Sequence, residues 1–245
     1  MKIWMTSSFC GSMARSLSRE NRSDKLPACR ISVDDNLEAC HCILMDAFFD
    51  WNQPVNVTER NLPHWSQKCV VYFATFRLAD SIPKPTLIQW AARREVWLKA
   101  HPEPREASEQ KEYRRLFTRK FHEYLDSGHG ACLLADKANS RLVAEALTYF
   151  EKERYQLGDW VVMPNHVHVL FQTLDDWAPK QILHSWKSYT ATRINKSVSR
   201  KGPVWQHESY DRIVRTAVEF ERIRAYIRDN PRNAKAEIHH ASWLR

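Results

Sequence analysis

Apolar positions follow two different periods along the chain, which predicts a mixture of strands and helices. Runs rich in β-branched and aromatic residues predict strands at 68–80, 154–164, 166–174 and 204–215. Apolar residues spaced three and four apart predict helices at 86–100, 109–130, 139–153, 178–198 and 217–231. Asn139 or Ser140 would cap the third helix. This order predicts an α+β fold with a mostly antiparallel sheet flanked by helices.

The first 60 residues lack this regularity. A polar opening is followed by an apolar stretch from Leu37 to Trp51. We therefore expect an N-terminal extension at 1–60 and one domain at 61–245. The extension is expected to be dispensable for activity, unless the apolar stretch docks on the domain. The motif "ACHC" at 39–42 fits no common zinc-finger spacing and lies in surroundings typical of an apolar helix.

The positive charge is concentrated in the last quarter of the chain. The net charge is +8, and residues 181–245 hold 13 Lys and Arg against 6 Asp and Glu. Such a region favours a polyanion, in particular nucleic acid, over a merely solvated surface. The basic residues expected to contact such a polyanion are Lys187, Arg193, Lys196, Arg200, Lys201, Arg212 and Arg215.

Other function classes find no support in the sequence. Neither a G-x-x-x-x-G-K-[ST] nor a G-x-G-x-x-G motif occurs, so no nucleotide cofactor is expected. No apolar run approaches the roughly 18 residues that span a bilayer. The six cysteines are scattered along the chain, which fits a reducing, cytoplasmic location.

Two histidines stand out in the run "VVMPNHVHVL" at 161–170. Residues i and i+2 of a strand face the same side, so His166 and His168 point together while Val167 points into the core. Two neutral imidazoles side by side are half of a divalent metal site, or else a pair of hydrogen-bonded sheet histidines. Pro164 and Asn165 predict a sharp start to the strand, which would fix the direction of both rings.

The run also resembles the His-hydrophobic-His strand of the HUH single-strand DNA nucleases, most of all the REP-associated tyrosine transposases. "YFATFRLAD" resembles the first strand of that family, and "SWKSYTATRIN" resembles its basic helix. "VWQHESYDRIVR" resembles its Trp-Gln segment, and "IRAYIRDNPRNA" resembles its catalytic helix. The resemblance extends from about Pro63 to the C-terminus and leaves the first 60 residues uncovered.

The resemblance implies an HUH-nuclease-like fold and a metal-dependent endonuclease and strand-transferase. Its substrate would be single-stranded DNA that forms the hairpin of a repetitive extragenic palindrome, bound by a monomer or homodimer. Mg²⁺ or Mn²⁺ would polarise the scissile phosphate. A tyrosine would attack the phosphorus, giving a 5′-phosphotyrosine and a free 3′-OH without ATP.

Three tyrosines of the basic region are candidates for the nucleophile: Tyr189, Tyr210 and Tyr226. Tyr226 lies in a predicted helix, and Asn230 follows at i+4 on the same face. "AYIRDNP" resembles the nucleophile helix of the family, which implies that Tyr226 attacks and that Asn230 joins His166 and His168 as a metal ligand. The alternative is that Tyr226 packs on the sheet and Asn230 only ends the helix.

The remaining expectations concern how DNA is held. Trp186 and Trp205 are either stacking platforms for bases or core residues, and Gln206 belongs to the DNA-contacting set through the Trp-Gln segment. Two further functions stay open. One is a domesticated hairpin-binding protein that no longer cleaves, and the other is a metal hydrolase that acts on another substrate. The basic excess weighs against the hydrolase.

Overall fold

The computed structural model describes residues 47–59, 63–233 and 239–241. Its centre is a five-stranded antiparallel sheet with the strand order β6-β3-β5-β4-β7. A two-stranded hairpin pairs β1 with β2. The strands are β1 (Asn56–Glu59), β2 (Pro63–Ser66), β3 (Val71–Arg77), β4 (Tyr155–Val162), β5 (His166–Thr173), β6 (Tyr210–Ile213) and β7 (His239–Ala241).

Six α-helices are present in the described residues. They are α1 (Lys84–Ala100), α2 (Ala107–Tyr113), α3 (Lys120–Asp126), α4 (Lys137–Thr148), α5 (Pro179–Ser197) and α6 (Ala217–Asp229). A π-helical segment at Arg114–Arg119 joins α2 to α3. The predicted α+β class, with an antiparallel sheet flanked by helices, is confirmed. Within the described residues, no helix combines the length and the apolar composition needed to cross a membrane.

The structure changes several predicted details. Helix α4 begins one turn early, because the Asp136 side chain caps it by accepting from the backbone N–H of Asn139 at 3.0 Å. The prediction of Asn139 or Ser140 as the cap is therefore wrong. The helix expected at 109–130 is interrupted by the π-helical segment and ends at Asp126. Strand β7 was not anticipated.

The two faces of the sheet carry separate apolar cores. We call them the α5 face and the α6 face, after the main helix packed on each. On the α5 face, strand residues pack with residues of α5: Val167, Val169 and Phe171 with Ile182, Leu183 and Trp186. On the α6 face, strand residues pack with residues of α6: Val71, Phe73 and Leu170 with Phe220, Ile223 and Ile227. Side chains alternate between these faces along β5.

Part of the expected N-terminal extension packs against the domain. Ala47 is buried, and its carbonyl accepts the backbone N–H of Val71 at 2.7 Å. The backbone N–H of Phe49 donates to the carbonyl of Val214 at 3.2 Å. The described residues 47–59 therefore contribute to the fold. The stretch from Leu37 to residue 46, with the motif at 39–42, lies outside the described residues.

Candidate functional site

His166 and His168 occupy the α6 face at the beginning of β5. Both side chains are 0% exposed, and their Nε2 atoms lie 3.0 Å apart. Val167 between them is buried in the core of the opposite face. The alternation predicted from the sequence is therefore confirmed, and the two imidazoles converge.

Asn165 determines which nitrogen of His166 faces its neighbours. The Asn165 side-chain N–H donates to the carbonyl of His129 at 3.0 Å, which turns Oδ1 toward Nδ1 of His166 at 2.7 Å. That oxygen only accepts, so Nδ1 of His166 carries the proton and Nε2 presents a lone pair. On the other ring, Nδ1 of His168 is held 2.7 Å from the hydroxyl of Thr75. Both rings are thus oriented by a partner on the far nitrogen.

Tyr226 reaches the same point from helix α6. Its hydroxyl lies 3.0 Å from Nε2 of His168 and 3.4 Å from Nδ1 of His122. Burial raises the pKa of the phenol, the charge of Asp126 raises it further, and the nearby amide of Asn230 opposes the shift. The hydroxyl therefore stays protonated at neutral pH until something stabilises the phenolate.

The other two candidate tyrosines are placed differently. Tyr189 is 47% exposed and lies on α5, across the sheet from the histidines. Tyr210 lies on the α6 face, where its ring centre is 6.4 Å from that of His122. Of the three, Tyr226 is the one whose hydroxyl contacts a histidine of the pair in the described structure.

Helix α6 is fixed at several points, which gives Tyr226 a defined position. The Thr216 hydroxyl caps the first turn by accepting from the backbone N–H of Glu219 at 3.1 Å. Apolar residues at helical spacing bury one side of the helix against the sheet. Arg224 adds an ion pair with the buried carboxylate of Asp159 on β4, at 2.5 Å. Cap, apolar side and ion pair together orient the helix on β4 and β5.

Helix α3 contributes two further residues, Asp126 and His122, which the sequence analysis missed. Oδ1 of Asp126 is buried without a hydrogen-bond partner and lies 3.4 Å from Nε2 of His166. Burial lowers the pKa of His122 to about 4, although Asp126 opposes this, so the imidazole is neutral. Their i, i+4 spacing puts both on one side of a helix, which is the only signal the sequence offered.

Asn230 lies at the end of α6 with 6% of its surface exposed. Within the described residues, neither atom of its side-chain amide makes a hydrogen bond of normal geometry. The amide lies close enough to the Tyr226 hydroxyl to lower the pKa of that phenol, so the two side chains are neighbours, as their i+4 spacing predicted. The role of Asn230 as a metal ligand stays a prediction.

The residues around the histidine pair fit a divalent cation. Asp126, His166 and His168 each offer one ligand atom, and these three atoms lie within 4.8 Å of one another. Two ligands bound at right angles about 2.1 Å from an ion would be about 3.0 Å apart, which matches the separation of the two Nε2 atoms. The unsatisfied oxygen of Asp126 faces the same point. Imidazole with carboxylate suits Mn²⁺ better than Mg²⁺.

Most of the predicted DNA-contacting cations lie away from this cluster. Arg193 and Lys196 are exposed on α5, and Arg200 and Lys201 follow it in the next turn. Because α5 packs on the sheet face opposite the histidines, these four do not gather around Tyr226. A nucleic-acid strand bound by both regions would have to pass around the edge of the β-sheet.

Lys187 has internal partners. Its ammonium donates to the carbonyls of Gln206 at 2.7 Å and His207 at 2.8 Å, and to the hydroxyl of Ser209 at 3.1 Å. Burial lowers its pKa to about 8. Lys187 thus ties α5 to the segment that precedes β6. Gln206 is half-buried, and its backbone N–H donates to the carbonyl of Arg77.

Arg212 and Arg215 also have partners. Arg212 lies on the α6 face and forms an ion pair with Glu219. The guanidinium of Arg215 lies 5.8 Å from the ring centre of Phe49 and 5.9 Å from that of Trp65. Both arginines therefore stabilise the fold around β6, whatever they contribute to DNA.

Trp186 and Trp205 are core residues. They are 2% and 5% exposed, and both belong to the core of the α5 face. Their indole N–H groups donate to the hydroxyl of Tyr155 and to that of Thr190, each at 2.9 Å. The structure supports the core-packing alternative for both, and Trp205 exposes little of its surface for stacking on bases.

Comparison with known proteins gives a family match. Residues 131–230 match the family described as IS200-like transposase. The match confirms the transposase resemblance over the part of the chain that holds both histidines, Tyr226 and Asn230. Helix α3, with Asp126 and His122, lies outside the matched residues.

A solved structure of a REP-associated tyrosine transposase bound to a REP hairpin is also similar. Sequence identity is 14%, the match covers 71% of this chain and 72% of that chain, and the TM-score is 0.41. The search of curated proteins found no match.

Proposed function

We propose that this protein is a metal-dependent single-stranded DNA endonuclease and strand-transferase that forms a 5′-phosphotyrosine intermediate through Tyr226. The observation that carries the proposal is the 3.0 Å contact between the Tyr226 hydroxyl and Nε2 of His168, beside the paired histidines. A nucleophile and a metal-binding cluster at one point are what attack on a phosphodiester requires.

His166, His168 and Asp126 would hold the cation, with the amide oxygen of Asn230 as a further ligand. A divalent ion bound there supplies Lewis-acid polarisation of a phosphate oxygen and a positive charge that favours the phenolate. Asn165 and Thr75 keep both rings turned toward it. The metal is proposed to be Mn²⁺ or Mg²⁺, and the imidazoles favour Mn²⁺.

Tyr226 would attack the phosphorus of the scissile phosphodiester. The bond from the phenolic oxygen to phosphorus forms, and the bond from phosphorus to the 3′ oxygen breaks. The phenolic proton leaves to an acceptor, for which Nδ1 of the neutral His122 is at 3.4 Å, and the 3′ oxygen gains a proton to become a free 3′-OH. Phenolate has an ordinary pKa of about 10 and can leave in the reverse step, so rejoining needs no ATP.

The substrate is proposed to be single-stranded DNA beside a hairpin. The exposed cations on and after α5 support binding of a polyanion on the other side of the sheet. The similar structure named above is that of a protein bound to a REP hairpin, and the chain's own motifs resemble that family.

The experiment that tests the proposal uses a labelled palindromic hairpin with a single-stranded flank. The full chain is incubated with it in Mn²⁺, in Mg²⁺ or in EDTA, and the products are separated on a denaturing gel. We expect a covalent protein–DNA adduct with either metal and none with EDTA. A shifted complex on a native gel without any adduct would instead support a hairpin-binding protein that does not cleave. If the gels show neither binding nor an adduct, both functions are rejected.

A further inference from the structure

Arg77 is the last residue of β3 and lies directly opposite His166 in the register of β3 and β5. Directly opposed residues in antiparallel strands share a face, with their Cβ atoms about 5 Å apart. The Arg77 side chain therefore leaves the sheet on the α6 face, the same face as His166, and its guanidinium lies over the ring of Phe121 in α3. It is 8% exposed, so it is buried without being sealed off.

The charge of Arg77 is not neutralised by the protein. Its guanidinium donates to the Ser81 hydroxyl at 3.0 Å and lies 5.9 Å from the ring centre of Phe121, and both partners are neutral. Within the described residues, no carboxylate forms an ion pair with it. Burial lowers its pKa to about 10. The side chain thus remains a cation at neutral pH with most of its N–H groups unused.

Arg212 on the same face provides a contrast. It is partly buried as well, but it forms an ion pair with Glu219. Burying an unpaired charge costs free energy, and proteins normally provide a partner, as Glu219 does for Arg212. An arginine left unpaired on the same face as a reactive cluster indicates that its counter-charge arrives with the ligand.

The position of Arg77 is also fixed on both sides of the chain. Its carbonyl accepts the backbone N–H of Gln206 at 2.9 Å, and the next residue, Leu78, donates its N–H to the carbonyl of Asn165 at 2.8 Å. Asn165 is the residue that orients His166. One hydrogen-bonded unit therefore positions the guanidinium and the first histidine together, which is the rigidity that stabilisation of a transition state requires.

We propose that Arg77 binds the non-bridging oxygens of the DNA phosphate that Tyr226 attacks and stabilises the charge that develops there. A guanidinium presents a planar fork of donors that matches phosphate oxygens. This inference rests on the proposed function. It adds an anion-binding residue that lies outside the residues matching the transposase family.

The kinetic test compares Arg77→Gln and Arg77→Lys with Arg141→Gln, which removes one exposed charge on α4. Adduct formation is measured in single turnovers at saturating hairpin. We expect Arg77→Gln to slow it about 100-fold, as loss of one oxyanion donor does, and Arg77→Lys to slow it less. For Arg77→Gln and Arg77→Lys, the Kd for the hairpin should change by no more than about threefold, which is about 0.7 kcal/mol. The rate of Arg141→Gln should stay within the same limit. A parental rate for Arg77→Gln would overturn the proposal. A loss of affinity with an unchanged rate would also overturn it, because Arg77 would then hold a neighbouring phosphate.

A second test needs no DNA and separates failure of this inference from failure of the proposed function. Thermal unfolding of each protein is followed with and without inorganic phosphate. We expect phosphate to raise the Tm of the parent and of Arg141→Gln but not that of Arg77→Gln. Without phosphate, Arg77→Gln should unfold at the parental temperature or above it, because an uncompensated charge has been removed.

The outcomes of the two tests are distinct. A lowered Tm for Arg77→Gln, with no phosphate response in the parent, would make Arg77 a structural residue and overturn the inference. If the parent forms no adduct with any hairpin but its phosphate response depends on Arg77, the proposed function fails and the anion site stands.

Discussion

The hydroxyl oxygen of Tyr226 lies 3.0 Å from Nε2 of His168, although 58 positions separate the two residues in the chain. The contact joins a helix of the α6 face to the second strand of a β-hairpin. It places the hydroxyl of the proposed nucleophile where it would reach a phosphate held at the histidines. It also distinguishes Tyr226 from the two other tyrosines that the sequence left as candidates.

Replacing Tyr226 by Phe removes one oxygen and should eliminate the covalent adduct. The fold should survive, because the loss of one hydroxyl hydrogen bond costs about 1 kcal/mol. Hairpin binding on native gels should be unchanged. The matched controls Tyr210→Phe and Tyr189→Phe should keep forming the adduct on denaturing gels. An adduct with Tyr226→Phe would transfer the assignment to Tyr210, which shares the α6 face.

The sequence predicted the parts of this site that depend on local periodicity. Alternation along β5 placed His166 and His168 on one side, and i+4 spacing placed Asn230 with Tyr226. Both rules describe neighbours within one element, so they hold before any tertiary structure is known. The order of strands and helices predicted the fold class for the same reason.

Contacts between distant elements were not predictable in this way. Asp126 of α3 lies 3.4 Å from His166 of β5, and nothing in "HEYLD" specifies that contact. Trp205 fits a stacking surface and a protein core equally well by residue type, and only the packing against Thr190 and Phe76 decides. Lys187 contributes to the formal charge of the basic region, yet its ammonium is used inside the protein.

Exposed cations on α5 should account for part of the salt dependence of DNA binding. Each phosphate contact contributes about 0.7 to 0.9 to the slope of log K against log salt. Arg193→Gln with Lys196→Gln should therefore flatten the slope by about 1.4 to 1.8 if both residues contact phosphates. The control pair is Lys152→Gln with Arg141→Gln, which removes the same charge from exposed positions outside α5. An equal slope for both double variants would assign the effect to net charge alone.

The ion pair between Arg224 and Asp159 should be required for the stability of α6. Arg224→Met removes this ion pair from the carboxylate of Asp159, whose side chain is 5% exposed. Removing one partner of a buried pair costs about 3–5 kcal/mol, and the partial exposure of Arg224 places the expected loss at the lower end of that range. Urea denaturation of Arg224→Met and of the exposed neighbour Arg222→Met measures the difference. Equal stability of the two variants would show that the pair contributes nothing.

Truncation should separate the residues that dock on the domain from those that precede them. A chain starting at Asn61 lacks the partners of the Val71 N–H and of the Val214 carbonyl, each worth about 1–3 kcal/mol if left buried and unpaired. It should be less stable than the full chain by several kcal/mol. A chain starting at Leu37 keeps those contacts together with the whole apolar stretch and should match the full chain in stability and adduct formation. The prediction that the extension is dispensable thus narrows to residues 1–36, and an inactive chain starting at Leu37 would contradict it.

The oxygen ligand of the proposed metal ion can be assigned by comparing variants of α3 and α6. Asp126→Asn keeps the size of the side chain but removes its charge, while Asn230→Ala removes the amide. If the carboxylate is a direct ligand, Asp126→Asn should weaken Mn²⁺ binding, measured by calorimetry without DNA, by at least the 10- to 100-fold known for residues that only support ligands. His168→Ala provides the reference for loss of a ligand. Asn230→Ala should have the smaller effect, because a neutral amide contributes less to holding a cation than a carboxylate does. The reverse order would assign the oxygen ligand to Asn230, one turn after Tyr226. Asp126, whose charge raises the pKa of Tyr226, would then be expected to accept the phenolic proton.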